Sequence, residues 1–487
     1  MSQELQIKIL EDFLHYFLPE GLLDYFEPVM AENKTHVNPK NKVQLQALHL
    51  YFDEKDNRTE ETKEYKPKGF AEETVFNDFP VRDKKLVLHI RRRRWITPDG
   101  NTVYIDICPN LIADGTRFSE EFAAFLKKNL DTTPVTARSL GRSYFVDGDA
   151  LERAYKWSLS DFSTWEQKGH AKDWILHQDN IGEHLSIDET SLQDDLFTIL
   201  SNKAGHGRQG TIIAMVRGTK AEDVIKVLLQ IPEEDRMKVA EVTLDMSESM
   251  RSIVEVVFPN AIITLDCFHI LKRCLDAVEE LRLRFKREAQ AATRRENRKW
   301  KAKMKRNAAH RRWYAKTHPK KYKGKRRGPK PRRANEPFRP EVLSNGDTLV
   351  ELLTRSKYAL TQTHDKWSKR QQARMKLLFD LYPKLKEAYD IVNRLRAIFR
   401  SKNLTKETAK DKLHEWYKDV STCTLREIKS ARDAVKDRED NVLNYFINRA
   451  TNAAAESLNS KLKSFRAQVR GVSDLTFFMY RVCKIYG

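Results

Sequence analysis

Leu185-Ser-Ile-Asp188-Glu-Thr-Ser191 is an apolar, β-leaning stretch that delivers an aspartate where a strand is expected to end. The pattern recurs at Val242-Thr-Leu-Asp245-Met-Ser, and again at Ile262-Ile-Thr-Leu-Asp266-Cys-Phe-His269. Carboxylates at the ends of neighbouring strands can converge on a divalent cation, and Mg²⁺ prefers oxygen ligands while keeping positions open for substrate phosphates. Each aspartate alone reads more simply as a turn or cap residue. A fourth acid, Glu456, falls in a helical pattern in which Asn452, Glu456, Asn459 and Lys463 are spaced 4, 3 and 4 apart and share one face. Ala453, Ala454, Leu458 and Leu462 supply the packing side. Without the upstream aspartates, that polar face would be read as solvated.

Around these stretches the chain alternates strand and helix signals. Strands are expected at roughly 184–188, 196–201, 210–216, 240–245 and 261–266, with helices at roughly 220–230 and 247–257. Such an order suggests an α/β fold, a mixed sheet covered by helices. Upstream, 118–159 reads as helical, with Pro134 as a first helical residue after a Thr133 cap. Ala137, followed four residues later by Gly141, is how helix-turn-helix units begin, which brings Arg138 and Arg142 forward as DNA contacts. An ordinary helical hairpin is the alternative. Residues 84–107 read as a β-hairpin, Lys84–Ile90 returning as Thr102–Ile107 through the turn Pro98-Asp-Gly-Asn101. Arg91, Arg92, Arg93 and Arg94 sit beside that turn, either reaching phosphates or protecting an edge strand by charge. Residues 1–35 open on an amphipathic helix pattern (Leu5, Ile9, Phe13, Phe17) suited to packing. After 275 the chain is helical, and Leu385, Tyr389, Val392, Leu395 and Phe399 form a core stripe.

Charge is concentrated. The 487 residues carry 89 Lys and Arg against 69 Asp and Glu, a net +20. Residues 281–340 hold 25 cations and 3 acids, or +22, which leaves 64 against 66 elsewhere. A block of this kind points to a polyanion, most simply nucleic acid, through phosphate neutralisation and counterion release; a solvated basic linker is the bland alternative. Within it Lys325-Arg-Arg-Gly-Pro-Lys-Pro-Arg-Arg333 cannot be helical, and its Arg326, Arg327, Lys330, Arg332 and Arg333 suit a narrow minor groove. Five scattered cysteines (Cys108, Cys267, Cys274, Cys423, Cys483) form no C-x-x-C pair, which argues against a zinc finger or disulfide framework and fits a reducing cytosol. No apolar run is long enough to span a bilayer, and Met1-Ser-Gln-Glu-Leu5 is not a signal-peptide start. A cytoplasmic, nucleoid-associated protein with no membrane partner is expected.

Phosphoryl transfer on DNA uses metals that activate a water or 3′-hydroxyl and stabilise the leaving oxygen, two ions lying about 3.5–4 Å apart. Three or so carboxylates from elements that meet in space can hold them. Ile187-Asp188-Glu189, Val242-Thr-Leu-Asp245-Met-Ser, Phe258-Pro-Asn-Ala261 leading to Asp266-Cys-Phe-His269, and Glu456-x-x-Asn459-x-x-x-Lys463 followed by Gly471 together resemble the DDE transposases of bacterial insertion sequences, in the ISL-three group. The resemblance runs from about residue 110 to the C-terminus. It implies an RNase H-like core, with Asp188, Asp245 and Glu456 as catalytic ligands of two Mg²⁺ (or Mn²⁺). It also implies a helical insertion, for which the 211 residues from Asp245 to Glu456 leave room. Asp266 and His269 match a D-x-x-H element with a supporting role, a satisfied structural histidine being the alternative. Asn459 and Lys463 would contact phosphates beside the metals. Relatives often carry a Cys-rich zinc element ahead of the helix-turn-helix; the equivalent stretch here has Cys108 alone, so no zinc is expected.

Four parts are therefore expected: 1–108, an N-terminal helical and β-hairpin domain; 109–178, helix-turn-helix-like; 179–275 with 445–487, the catalytic core; and 276–444, the helical insertion. The function implied is binding of the element's terminal inverted repeats, then cleavage and strand transfer into target DNA by a homodimer or larger synaptic assembly. A catalytically silent DNA-binding repressor and an RNase H-like structure-specific nuclease are the rival readings.

Overall fold

The computed structural model describes residues 14–37, 44–105, 110–193, 195–318, 337–469 and 474–487. The chain divides into two compact units, Met1–Ala240 with Ser252–Asn260 and Ala453–Gly487, and Glu241–Arg251 with Ala261–Asn452. Strands in mixed sheets and many helices make it an α/β protein. No helix among the described residues is long and apolar enough to cross a membrane.

After a short helix, Leu22–Tyr25, the described residues of the first unit give seven strands up to residue 105: β1 (Phe26–Val37), β2 (Gln44–Glu54), β3 (Lys66–Phe70), β4 (Thr74–Val81), β5 (Lys84–Arg91), β6 (Arg93–Ile96) and β7 (Thr102–Val103). They form one sheet in the order β1-β2-β5-β4, with β2 and β5 parallel, and a smaller one, β3-β6-β7. Alternation sends Phe52, Phe76, Leu86, Leu88 and Ile90 to a common core with Phe26. The expected hairpin is corrected here. Among the described residues, Lys84–Ile90 does not pair with the part of the expected return strand up to Ile105; the turn Pro98–Asn101 joins β6 to β7, with Trp95 opposite Val103. β5 instead lies between β2 and β4, because Leu86 through Ile90 are buried without interruption, as suits a strand covered on both faces. β1 was not legible, being almost wholly exposed and carrying little alternation. Leu5, Ile9, Phe13 and Cys108 lie outside the described residues.

Helix Glu120–Thr132 follows, capped by Ser119, and packs Phe122, Leu126 and Leu130 with Leu140, Leu151, Tyr155, Phe477 and Tyr480. The next helix, Ala137–Ser143, starts three residues later than expected. Thr133 is held extended before Pro134 and closes the preceding helix, so Thr136 becomes the cap, accepting from Ser139 N. Gly148–Ala154 crosses it closely. A Cβ at Gly141 would sit 2.7 Å from Val146 O, and one at Gly148 would sit 2.5 Å from Arg138 Cα. Glycine is required at both by backbone approach.

β8 (Trp174–Leu176), β9 (His184–Leu192), β10 (Asp195–Asn202) and β11 (Ile212–Arg217) then pair antiparallel in the order β9-β10-β11-β8. Phe197, Ile199, Ile212 and Met215 pack against Leu458, Leu462 and Phe465 of helix Ala453–Gln468, and against Phe478 and Val482 of helix Leu475–Tyr486.

In the second unit β12 (Glu241–Leu244) and β13 (Ile262–Leu265) run parallel, Leu244 opposite Leu265. Helix Cys267–Thr317 leaves β13 directly. Ile270, Cys274, Val278 and Leu281 are buried, but after Ala289 no residue of it is. That leaves a rod on the order of 40 Å long, at 1.5 Å per residue. The expected stripe on helix Pro383–Arg400 is core: Leu385, Tyr389, Val392, Leu395 and Phe399 are all buried.

Candidate active site

Asp188 lies in the middle of β9, opposite Ile199 of β10, and not at a strand end as expected. Thr190 and Leu192 continue the buried alternation beyond it, so pairing with β10 persists. Helix Ala453–Gln468 buries Ala455, Leu458, Leu462 and Phe465; of the alanines expected to pack, Ala453 is exposed and Ala454 half-buried. The same helix presents Asn459, 6% exposed, whose Nδ2 donates to Asp188 Oδ2 at 2.7 Å. Asp188 Oδ1 accepts from the Glu189 amide at 2.9 Å. Asn459 Oδ1 is buried and has no hydrogen-bond partner among the described residues. Glu456 stands one turn earlier on this helix, exposed. Lys461 Nζ donates to Gly207 O at 2.8 Å, tying the helix to the turn before β11. Lys463 is exposed. Asn459 was read as a phosphate contact; it holds a carboxylate instead, a bond between residues 271 apart that no local pattern announces.

In the second unit Asp245 and Asp266 each follow the last residue of a parallel strand, and the Asp266 amide donates to Leu244 O at 2.9 Å. The carboxyl ends of parallel strands are where α/β folds place ligands. Asp245 Oδ1 accepts from Ser247 N at 2.7 Å in a tight turn ahead of helix Glu248–Val257. Asp266 is 2% exposed and caps helix Cys267–Thr317, accepting from Phe268 N at 3.2 Å. His269 sits half-buried in that helix's first turn. Burial, with Asp266 adding to it, pushes the Cys267 thiol up to about 11, so Cys267 is no nucleophile. The donors in both units, carboxylate and amide oxygens, are those a hard cation takes.

The cationic residues divide. Arg91 makes two 2.7 Å bonds to Asp53, and Arg92 pairs with the buried Glu54 and with Ile105 O. Arg93 Nε donates to Glu54 O, and its guanidinium lies over Phe70. Arg94 is half-buried. Arg138 pairs with Asp149, and Arg142 is exposed beside it on helix Ala137–Ser143. Between 291 and 317, eleven Lys and Arg face one acid, Glu296. Arg326, Arg327, Lys330, Arg332 and Arg333, with Gly471, lie outside the described residues.

No curated protein matches the chain. A transposase family model, that of the ISL-three group of DDE transposases, matches residues 185–482, from the start of β9 into the last helix. That span is more than half of the sequence and includes Asp188, Asp245, Asp266, His269, Glu456 and Asn459. DNA processing is the activity such a family performs. The chain belongs to the ISL-three family of DDE transposases.

Proposed function

We propose that this transposase binds the terminal inverted repeats of its own insertion sequence, cleaves there and joins the freed 3′ end to target DNA. Asp188, Asp245 and Glu456 act together as ligands of two Mg²⁺ or Mn²⁺ ions on an RNase H-like core. The observation that carries this reading is the clamp on Asp188. Asn459 fixes one carboxylate oxygen from the helix that bears Glu456, and its own buried Oδ1 is left to accept from a bound water. An orphaned buried acceptor is costly, and an ion with its waters relieves that cost. Bound there, the ions supply an activated oxygen nucleophile and neutralise charge on the phosphate and the leaving oxygen.

The chain's own residues do the rest. Asn459 keeps Asp188 in one rotamer, Asp266 anchors the helix carrying His269, and Lys463 and His269 meet phosphate oxygens. Helices Ala137–Ser143 and Gly148–Ala154 read end DNA as a helix-turn-helix, aided by Arg138 and Arg142. The helical insertion, with Arg326, Arg327, Lys330, Arg332 and Arg333, grips the backbone. The four-part division at 108, 178, 275 and 444 follows these tasks. Pairing of two ends calls for a dimer or larger assembly, working in the cytoplasm at the nucleoid without zinc.

Asp188→Asn and Glu456→Gln test the site. Each should reduce Mg²⁺-dependent cleavage of end-bearing DNA by at least about 10³-fold, while end binding in Ca²⁺ stays within about two-fold. Cleavage retained in either variant removes that residue from the site. Strand-transfer products separate a transposase from a junction nuclease. Metal-dependent nicking by the wild type separates it from a silent repressor.

A further inference from the structure

One cavity of the first unit is walled by cations that the carboxylate site does not use. Lys85 on β5, Arg117 in the loop ahead of helix Glu120–Thr132, and Arg153 on helix Gly148–Ala154 line a space of about 540 Å³. Ligand pockets span about 300–1,000 Å³. Among the described residues Asp147 is the one acid on this wall, and its Oδ1 is spent on the Ala150 amide at 2.7 Å. None of the three cations has an ion pair among the described residues, whereas Arg138 nearby is paired with Asp149. Burial holds the Lys85 ammonium below its ordinary 10.5, with Asp147 opposing the shift. An anion brought beside it would offset that penalty.

The same cavity has an aromatic wall. Trp157 is 58% exposed, a wet position for a side chain with so much apolar area to bury. It follows helix Gly148–Ala154 in the wider turn Tyr155–Leu159, which Ser160 N closes by donating to Tyr155 O at 3.0 Å. Turns of that width recur at functional sites. Gly115, at φ 69°, lets the facing loop press on the next residue: a Cβ there would sit 2.5 Å from Ser158 Oγ. Lys156 and Lys168 lie over the Trp157 ring, 4.9 and 5.8 Å from its centre. Both line a neighbouring cavity that Trp157 shares, and neither lines the first. The indole therefore stands as a partition, with its lysines on one side and the other side open to a ligand.

We propose that this cavity takes an unpaired nucleotide of DNA, its base stacked on Trp157 and its phosphates met by Lys85, Arg117 and Arg153. An aromatic platform among cations is what single strands bind, because every base has a face to stack and every linkage a charge. A paired base offers no such face, since its neighbours in the duplex cover it. The excess of cations on the wall suits a phosphodiester and disfavours an apolar or cationic occupant. The inference rests on DNA as the family's substrate and not on the carboxylate site.

The test titrates the full-length chain in Ca²⁺ with a blunt duplex and with the same duplex carrying an oligothymidine arm. The arm should tighten binding about 5–150-fold, the effect of one stacked base. Trp157→Ala should lose that gain and Trp157→Phe should keep most of it, with blunt-duplex affinity within about two-fold of the wild type in both. Their thermal midpoints should match the wild type, because Trp157 is exposed. On irradiation, 5-iododeoxyuridine placed in the arm should crosslink to Trp157, located by mass spectrometry of the digested chain. Arg117→Ala should lower the salt slope for the armed duplex by about 0.7 and leave the blunt one unchanged. An arm that tightens Trp157→Ala as much as the wild type overturns the inference, as do equal losses on both duplexes. Thymidine monophosphate displacing the arm at micromolar concentration also overturns it, by assigning the cavity to a free nucleotide. None of these readouts requires cleavage, so they stand apart from any failure of the carboxylate site.

Discussion

Two cationic regions of this chain look alike as text and behave differently as matter. In the 91–94 tract, Arg91 meets Asp53 and Arg92 meets Glu54, the two acids lying 38 residues upstream in each case. In the rod beyond Ala289 of helix Cys267–Thr317, eleven cations share one acid and no side chain is buried. Density of arginine is therefore a poor guide to a DNA surface until the carboxylates that fold against it are counted. The first tract is mainly an internal fastening; the second keeps its charge for solvent or phosphate.

Glu54 is where breaking the fastening should cost most. Its carboxylate, 1% exposed, accepts from Arg92, from the Arg93 amide at 2.6 Å and from Asn57 at 3.0 Å. Glu54→Gln leaves a half-buried guanidinium without its counter-charge, a loss of about 3 kcal/mol. Thermal unfolding should start several degrees lower, with DNA affinity of the still-folded protein unchanged. A variant that melts like the wild type but binds DNA differently would reverse the roles assigned to the two regions.

The rod gives the opposite signature. Lys299, Lys303 and Arg306 are exposed and spaced along one helical face. Replacing all three by alanine should lower the slope of log affinity against log salt by about 3, and weaken binding about ten-fold or more at low salt. Stability should barely move. An unchanged slope would leave the rod as a solvated spacer.

Arg91→Ala probes the boundary between these behaviours. Its side chain is 46% exposed, so the two bonds to Asp53 are screened and their loss costs about 1 kcal/mol. DNA affinity should stay within about two-fold. A slope falling by about 1 in this variant would return the tract to the DNA surface.

What was readable follows the range of the forces involved. Apolar runs at 196–201, 210–216, 240–245 and 261–266 became β10 to β13 nearly in place, because burial is written into consecutive residues. β1 was silent, since its side chains are wet and barely alternate, even though its partner β2 is the next strand along the chain. At the site, the helical spacing of Glu456 and Asn459 was legible. The contact of Asn459 with Asp188 was not, and neither was the continuation of β9 past an Asp-Glu pair that looked like a terminus.

The smallest effect, and the one that isolates burial from pairing, belongs to Asp78 on β4. It is 4% exposed and has no ion pair among the described residues; Ser119 Oγ donates to its Oδ1 at 2.5 Å. Burial raises its carboxyl above the ordinary value of 3.8, partly opposed by the bonds from Ser119 and the Phe79 amide. The folded state thus holds this proton more tightly than the unfolded one. Stability from the group is complete below about 3.8 and is lost as pH rises through the higher folded value, so at neutral pH the charge is a burden. Asp78→Asn keeps an oxygen for Ser119 and removes that charge. It should raise the thermal midpoint by roughly 2–4 °C at pH 7, the shift expected of about 1 kcal/mol in a domain of this size. The gain should vanish as the pH falls toward 4. A midpoint that drops at pH 7, or a gain that persists in acid, would mean that Asp78 is kept as a charge by a partner beyond its hydroxyl and amide donors.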